Sequence, residues 1–171
     1  MSAEELLRSA ASALKKKDSS TAVRALEDAL VVVRKDAPLE VRALVVVNHD
    51  HTGIGLYTPA KGDVVDGRRI RFYVELANHA HSEISKGLWR VQLDVTGDFS
   101  FDDAKERLAL QSGVSLGTQS YETRTPVGVT SFGVDVKLGE KSPAGTYHML
   151  LHVTDAVSGK TAKQEARFVL V

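Results

Sequence analysis

The sequence predicts a mainly β protein in which an N-terminal α-helical hairpin precedes an antiparallel β-sandwich. Two observations carry this prediction: the uneven distribution of glycine, and a change in the spacing of apolar residues near Val41. All 13 glycines lie at or after Gly53, and three of the four prolines lie beyond that point. Because glycine destabilises helix interiors and is useful in turns, helices are expected first and short strands afterwards. The expected domains are a helical hairpin over residues 1–40 and a β-sandwich over residues 41–171.

The first 40 residues predict two short helices joined by a tight turn. Ser2 and Glu5 form an S-x-x-E capping box at the start of the first helix. Asp18-Ser19-Ser20 offers a cap for the second helix, which is expected to end before Pro38. The apolar residues at helical spacing are Leu6, Leu7, Ala10 and Leu14, then Val23, Leu26, Leu30 and Val33. One such hairpin resembles a single tetratricopeptide-type unit, but solenoids need several copies. The hairpin is therefore expected to pack on the sandwich or to pair with another copy.

From Val41 onwards apolar and polar residues alternate with the period of two that is typical of strands. Strands are expected over residues 41–48, 69–77, 88–96, 132–138, 147–154 and 167–170, and weaker ones over 55–58 and 107–111. Seven or eight short strands separated by Gly, Pro, Asp and Ser turns are typical of a two-sheet sandwich. No helical crossover is predicted after Val41, so a parallel sheet is not expected.

Four local features refine the predicted sandwich. Trp89 is expected in the core, and Tyr147 is expected to hydrogen-bond nearby backbone through its hydroxyl. The run 98–103 is acidic but lacks the glycine and the final glutamate of a calcium loop, so an acidic turn is expected. The run 113–126 is rich in Ser, Thr and Gly and predicts a long surface loop, either a plain connector or a binding loop.

The last quarter of the chain carries a family resemblance. Ser142–Lys160 contains P-x-G-x-Y, an alternating strand and T-D-x-x-S-G-K, which resembles the final hairpin of bacterial Ig-like and fibronectin-type-III-like sandwiches. Gly53–Pro59, and Asp66-Gly67 before Ile70–Asn78, are similar to the first strands of uncharacterised bacterial proteins with such a domain. The resemblance covers about residues 41–171. It implies an Ig-like sandwich in an extracytoplasmic accessory or adhesion-like module, with no catalytic residues.

The histidines form the one unusual constellation of side chains. His49 and His51 make one H-x-H pair, and His79 and His81 make another. Residues i and i+2 of a strand project from the same face, so either pair presents two imidazoles to one ion. If the strands are neighbours, all four converge on Zn²⁺, Ni²⁺ or Cu²⁺. The alternatives are solvated surface histidines and a pH-sensitive cluster.

Composition and motifs exclude several classes of function. Lys+Arg and Asp+Glu are both 22, so the chain lacks the basic excess that nucleic acid or an anionic membrane demands. The absence of cysteine excludes disulfides, thiol nucleophiles and Cys-based metal sites. No run is long and apolar enough for a membrane span. No nucleophile elbow and no phosphate-binding glycine loop is present.

The sequence therefore predicts a non-catalytic protein-binding, scaffold or adhesion-like module that binds a protein partner or self-associates. The alternative is a metal-binding protein that uses the histidine pairs; otherwise no cofactor is expected. Glu4 and Glu5 stand where a signal peptide would carry positive charge, so no export signal is expected. If Met1 replaces a removed leader, the protein is periplasmic or on the cell surface; otherwise it is cytoplasmic.

Overall fold

A computed structural model describes residues 1–48 and 52–171 of the chain. They form two compact units, Met1–Pro38 and Leu39–Val171, which are described separately. The first unit is a pair of helices and the second consists mainly of strands, so the mainly β class with a helical N-terminus is confirmed. No helix within the described residues combines the length and apolarity needed to cross a membrane.

Two capped helices make up the first unit. They are α1 (Ala3–Lys15) and α2 (Ser19–Asp36). The predicted capping box is confirmed: the backbone N–H of Glu5 donates to the Ser2 hydroxyl at 3.3 Å, and that of Ser2 donates to the Glu5 carboxylate at 2.7 Å. Asp18 caps α2 by accepting from the backbone N–H of Thr21 at 3.1 Å. These caps satisfy N–H groups that have no partner inside the helix.

The contact between the helices is built mainly from alanine. The buried residues are Leu6, Ala10 and Ala13 in α1, and Ala22, Ala25 and Ala29 in α2. Apart from Leu6, the larger aliphatic residues of the predicted stripes are between 42 and 57% exposed; they are Leu7, Leu14, Val23, Leu26, Leu30 and Val33. Leu6 and Ala10 are thus the members of the predicted stripes that are buried. Alanine lets two helices approach closely, which turns the larger side chains away from the contact.

The described residues of the second unit include nine strands, which form two sheets. The strands are β1 (Glu40–Val47), β2 (Val64–Val65), β3 (Arg69–Ala77), β4 (Ser82–Ser85), β5 (Leu88–Asp102), β6 (Arg107–Thr123), β7 (Val129–Lys137), β8 (Gly145–Asp155) and β9 (Thr161–Leu170). One sheet has the order β1-β3-β7, and the other has the order β2-β9-β8-β5-β4 with β6 also paired to β5. The described pairings are antiparallel except for the two-residue β2–β9 pairing, which is parallel. The sheets are therefore mixed, and they curl into a half-barrel.

Inward-facing side chains of both sheets share one apolar core. Phe72 on β3 and Val134 on β7 face Leu151 on β8, and all three are at most 2% exposed. Phe72 also meets Phe168 on β9, with ring centroids 5.7 Å apart at a steep angle. This confirms that the period of two from Val41 onwards marks strands whose apolar faces are buried together.

Three local predictions in the sandwich were wrong. The run 98–103 is not a turn, because β5 continues to Asp102 with Phe99 and Phe101 turned inward and the acids outward. The run 113–126 is not a loop as far as Thr123, because β6 pairs with β5 along its length. A strand at the edge of a sheet can be rich in Ser, Thr and Gly when one face is solvated. Trp89 is half-buried and lies outside the buried core.

The prediction for Tyr147 is confirmed. Its hydroxyl donates to the carbonyl oxygen of Pro143 at 2.7 Å, and its ring is stacked on that of Phe168 with centroids 5.4 Å apart. The residue fixes the start of β8 against the preceding turn.

Candidate functional site

The predicted pair His79 and His81 lies on the connection between β3 and β4, immediately after Asn78, which has a φ of 63°. The centroids of the two imidazole rings are 4.9 Å apart. His79 is 5% exposed, and its Nε2 lies 3.0 Å from the hydroxyl oxygen of Tyr121. Nε2 of His81 accepts a hydrogen bond from the backbone N–H of Val127 at 3.3 Å. The two imidazoles are side by side, and each already has a hydrogen-bond partner in the protein.

A buried carboxylate lies beside this pair. Asp155 is 0% exposed and accepts hydrogen bonds from the hydroxyl of Ser158 at 2.6 Å and the backbone N–H groups of Ala80 and Val157 at 2.7 and 2.9 Å. Burial lowers the pKa of His81, and the charge of Asp155 opposes that shift. We call His79, His81, Tyr121 and Asp155 the histidine corner. Through the hydrogen bond from Ala80 to Asp155, the histidine corner joins the β3–β4 connection to the end of β8.

The histidine corner supplies two of the four predicted metal ligands. His49 and His51 lie outside the described residues, so the four-histidine site stays a prediction. Within residues 1–48 and 52–171, no three His, Asp or Glu side chains converge where they would hold an ion. An ion bound through Nε2 of His79 or His81 would displace the contact with Tyr121 or Val127.

A second set of histidine–carboxylate contacts lies on the outer face of the six-stranded sheet. Nε2 of His148 is 2.9 Å from the carboxylate of Asp102, and Nδ1 is 3.2 Å from that of Glu165. The guanidinium of Arg107 lies 3.0 Å from Glu165 and 3.1 Å from His148 Nε2. Hydrogen bonding to His148 lowers the pKa of Asp102. The four polar side chains contact one another and form one connected cluster on the sheet.

A neighbouring cluster on the same face contains an aspartate, a serine and a histidine. Asp98 accepts from the Ser112 hydroxyl at 2.7 Å and the Gly113 backbone N–H at 2.8 Å, and lies 2.8 Å from Nε2 of His152. The hydrogen bond from Ser112 is the largest of the contributions that lower the pKa of Asp98 to about 2. Because the serine donates to the carboxylate and not to the imidazole, the nucleophile–base contact of acyl transfer is not formed here.

These two clusters depend on strand register, which the local spacing of residues does not give. In the pairing, His148 lies opposite Ser100 and His152 opposite Thr96, which places the acids Asp98 and Asp102 within reach. The sequence does contain one signal of these contacts: Asp98 and Asp102 are four residues apart, and so are His148 and His152.

A shallow depression lies at the outer face of the three-stranded sheet. Its volume is ≈ 240 Å³, and it is lined by Val47, Asn48, Arg69, Arg71 and Asp135. The guanidiniums of Arg69 and Arg71 both donate to Asp135, at 2.7 to 2.9 Å. The single carboxylate offsets one of the two positive charges, so these three side chains together keep a net positive charge.

The helical hairpin carries one continuous apolar surface. Five of the six exposed aliphatic residues of the predicted stripes follow by one position a buried residue, as Leu26 follows Ala25 and Leu30 follows Ala29, and Val33 follows the half-buried Val32. One residue corresponds to a rotation of about 100° around a helix. Because the two helices are antiparallel, a step of one residue beyond a contact position turns the side chain toward the same side of the hairpin in both helices. The exposed side chains of both helices therefore contribute to one surface. We call Leu7, Leu14, Val23, Leu26, Leu30 and Val33 the Leu/Val face.

Comparisons with known proteins give distant structural likenesses only. No protein-family model and no curated protein matches the chain. A sporulation control protein from Bacillus subtilis is 9% identical with a TM-score of 0.38, and the match covers 78% of this chain and 49% of that one. A family 123 glycoside hydrolase from Clostridium perfringens is 10% identical with a TM-score of 0.43, covering 79% and 27%. An alkylpurine DNA glycosylase from Pseudomonas fluorescens is 14% identical with a TM-score of 0.35, covering 92% and 39%.

The chain thus spans about half or less of the length of these three proteins. Their activities differ from one another, and likenesses this distant carry no inference about function.

Proposed function

We propose that the chain is a non-catalytic protein-binding module of the scaffold or accessory type, which binds its partner through the Leu/Val face. The observation that carries the proposal is the placement of six large aliphatic side chains on one side of an alanine-packed hairpin. Singly exposed apolar residues are common on protein surfaces, whereas a continuous apolar surface marks an interaction site.

Covering this surface would contribute free energy to binding. Fully burying a Val or Leu side chain is worth about 1.5–3 kcal/mol. The six side chains of the Leu/Val face are about half exposed. Covering them is therefore worth roughly 5–9 kcal/mol before the cost of association is subtracted.

The polar clusters of the sandwich support a structural role more than a catalytic one. The imidazoles of His148 and His152 are engaged by carboxylates, and those of His79 and His81 have Nε2 partners of their own. A general base must reach a nucleophile or a substrate proton. Within the described residues these imidazoles contact acids, an arginine, a tyrosine and backbone, so the arrangement favours binding over catalysis.

The Ig-like identity of the sandwich is part of the same proposal, together with the bacterial and extracytoplasmic setting that the resemblance implies. The Tyr147 hydrogen bond and the shared core of two sheets support it. Detection of the protein in the periplasmic or surface fraction of its own cells would test the setting, and recovery in the cytosol alone would contradict it.

A site-specific photocrosslink tests the binding surface directly. A photoreactive residue replaces Leu30, on the Leu/Val face, or Asp28, which the helix rotation places on the opposite side of the hairpin. After irradiation in the native cell, position 30 is expected to give a protein adduct of discrete mass and position 28 none. The adduct is expected to disappear when Leu26→Lys is added. Equal labelling at both positions, or no protein adduct at position 30, would refute the proposed function.

A further inference from the structure

We infer that Asp66 is a site of spontaneous backbone modification, at which the aspartate isomerises to isoaspartate through a cyclic imide. The site lies on the connection between β2 and β3, and the inference is independent of the proposed binding function. In the whole sequence Asp66 is the one aspartate that is followed by glycine. The chemistry of the reaction and the surroundings of the Asp66–Gly67 step both favour this position.

The reaction joins the side chain of Asp66 to the backbone nitrogen of Gly67. The nitrogen attacks Cγ of the protonated carboxyl group, whose hydroxyl leaves with the amide proton as one water molecule, and a five-membered succinimide forms. Water then opens the ring at either carbonyl carbon. Cleavage of the new N–Cγ bond restores aspartate, and cleavage of the original main-chain N–C bond gives isoaspartate. Water is the one co-reactant, and the composition of the chain is unchanged.

Glycine hinders the attacking nitrogen least, because it has no Cβ. Gly67 is exposed and has a φ of 96°, and a Cβ built there would meet no atom within 4 Å. The space around this part of the backbone is therefore open to the geometry of ring closure.

The two reacting groups are also unengaged. Asp66 is exposed. Within residues 1–48 and 52–171, its carboxylate accepts no hydrogen bond and forms no ion pair, and the N–H of Gly67 has no acceptor. The carboxylates of Asp98, Asp135 and Asp155, in contrast, are held by hydrogen bonds from neighbouring side chains. Those aspartates would have to break such contacts before they could react, and Asp66 would not.

Asp63, which lies just before β2, differs from Asp66 at the attacking nitrogen. It precedes Val64, whose branched side chain crowds its own backbone. The N–H of Val64 also donates to the carbonyl oxygen of Lys61. Asp63 is therefore expected to stay unmodified, and it serves as an internal control close to the reactive site.

Isoaspartate would lengthen the main chain by one methylene group between two fixed points. The carbonyl oxygen of Val65 accepts from the backbone N–H of Val171 at 3.3 Å, and that of Arg68 accepts from the N–H of Leu138 at 2.8 Å. The short connection between these points has to absorb the added group. The isoaspartyl form is therefore expected to melt at a lower temperature than the unmodified chain.

Ageing of the folded full chain at neutral pH and physiological temperature tests the inference. Trypsin releases residues 62–68, a fragment that contains both Asp63 and Asp66. A carboxyl methyltransferase specific for isoaspartate labels the product, and mass spectrometry locates the label. Isoaspartate is expected at position 66 and not at position 63. Its rate of formation is expected to be within about tenfold of that in a synthetic peptide of the same sequence, whereas reaction through unfolded molecules alone would be about a thousandfold slower.

The variant Asp66→Glu keeps the charge but would have to close a six-membered ring, which forms far more slowly, so no label is expected at position 66. A folded chain that stays unlabelled there while the peptide reacts would overturn the inference, since the fold would then protect the step. Equal labelling of Asp63 would overturn it as well, because the open glycine would not select the site. An isoaspartyl form that melts with the parent would overturn the expected strain on the connection.

Discussion

Asp155 accepts a hydrogen bond from the backbone N–H of Ala80 at 2.7 Å, which joins the end of β8 to the connection after β3 across 75 positions of the chain. The same carboxylate is fully buried and also accepts from Ser158 and Val157. A buried donor that loses its acceptor keeps its desolvation cost without compensation. Asp155 is therefore expected to be one of the most important polar residues for stability.

Replacing Asp155 by alanine is expected to lower the free energy of unfolding by about 2 kcal/mol or more, since the part-buried hydrogen bonds from the backbone N–H groups of Ala80 and Val157 lose their acceptor. Urea denaturation followed by circular dichroism measures this loss. The control is Asp94→Ala, because exposed Asp94 accepts one hydrogen bond, from Thr118 at 2.7 Å. The control is expected to cost less than about 1 kcal/mol. Equal losses in the two variants would show that the buried network has no special role.

Local spacing predicted the elements well but not the side of a helix that is buried. The positions of α1 and α2, their caps and the strands around Phe72 and Leu151 follow from short-range patterns. Which of two adjacent apolar stripes packs depends on how closely two helices approach. Leu26 and Ala25 both fit an apolar stripe, and only the interhelical contact favours the smaller one.

Strand register set a similar limit in the sandwich. The pairing of β6 with β5 was missed because an edge strand with a solvated face does not need alternating apolar residues. The contact between His148 and Asp102 was missed because it joins residues 46 positions apart on paired strands. Such contacts depend on which strands are neighbours, and local sequence does not encode that directly.

Gly145 is expected to tolerate no side chain. Its φ is 142°, and a Cβ built there would lie 2.8 Å from Cε2 of Phe101. Gly145→Ala is therefore expected to lower the free energy of unfolding by about 1–3 kcal/mol, through strain and overpacking. Gly139→Ala is the matched control, because its Cβ would meet only the Ser142 hydroxyl at 3.8 Å. Thermal melting of the two variants separates the effects, and a Gly145→Ala variant as stable as the control would contradict the prediction.

Added Zn²⁺ or Ni²⁺ is expected to leave the melting temperature unchanged, because Nε2 of His79 and of His81 already have partners in Tyr121 and Val127. The metal-binding alternative makes the opposite prediction. A site with a Kd of about 1 µM would add about 2.7 kcal/mol of stability at about 100 µM metal. A rise in melting temperature that His81→Ala abolishes would establish the alternative, and one that only His49→Ala abolishes would locate the ion at the first pair.

Acid is expected to destabilise the sandwich partly through Asp135. Its hydrogen bond from Arg71, supported by Arg69, lowers its pKa from 3.8 to about 2. A carboxyl whose pKa is lower in the folded state contributes its stability above the unfolded value of 3.8 and loses it as the pH falls through about 2. The urea midpoint of the parent chain should therefore fall between about pH 4 and pH 2.

The Asp135→Asn variant has no titrating group at this position. Its urea midpoint is therefore expected to be lower than that of the parent chain at pH 5, and to fall less steeply than the parent's below pH 4. The lowered pKa of His81 acts in a separate window below 6.5, where protonation destabilises the fold, and it affects both proteins equally. The difference between the two proteins therefore reports Asp135. If the urea midpoints of the two proteins change in parallel between about pH 4 and pH 2, the pKa of Asp135 is the same in the folded and unfolded chains. The 2.7 Å contact with Arg71 would then leave that pKa unchanged, which contradicts the prediction.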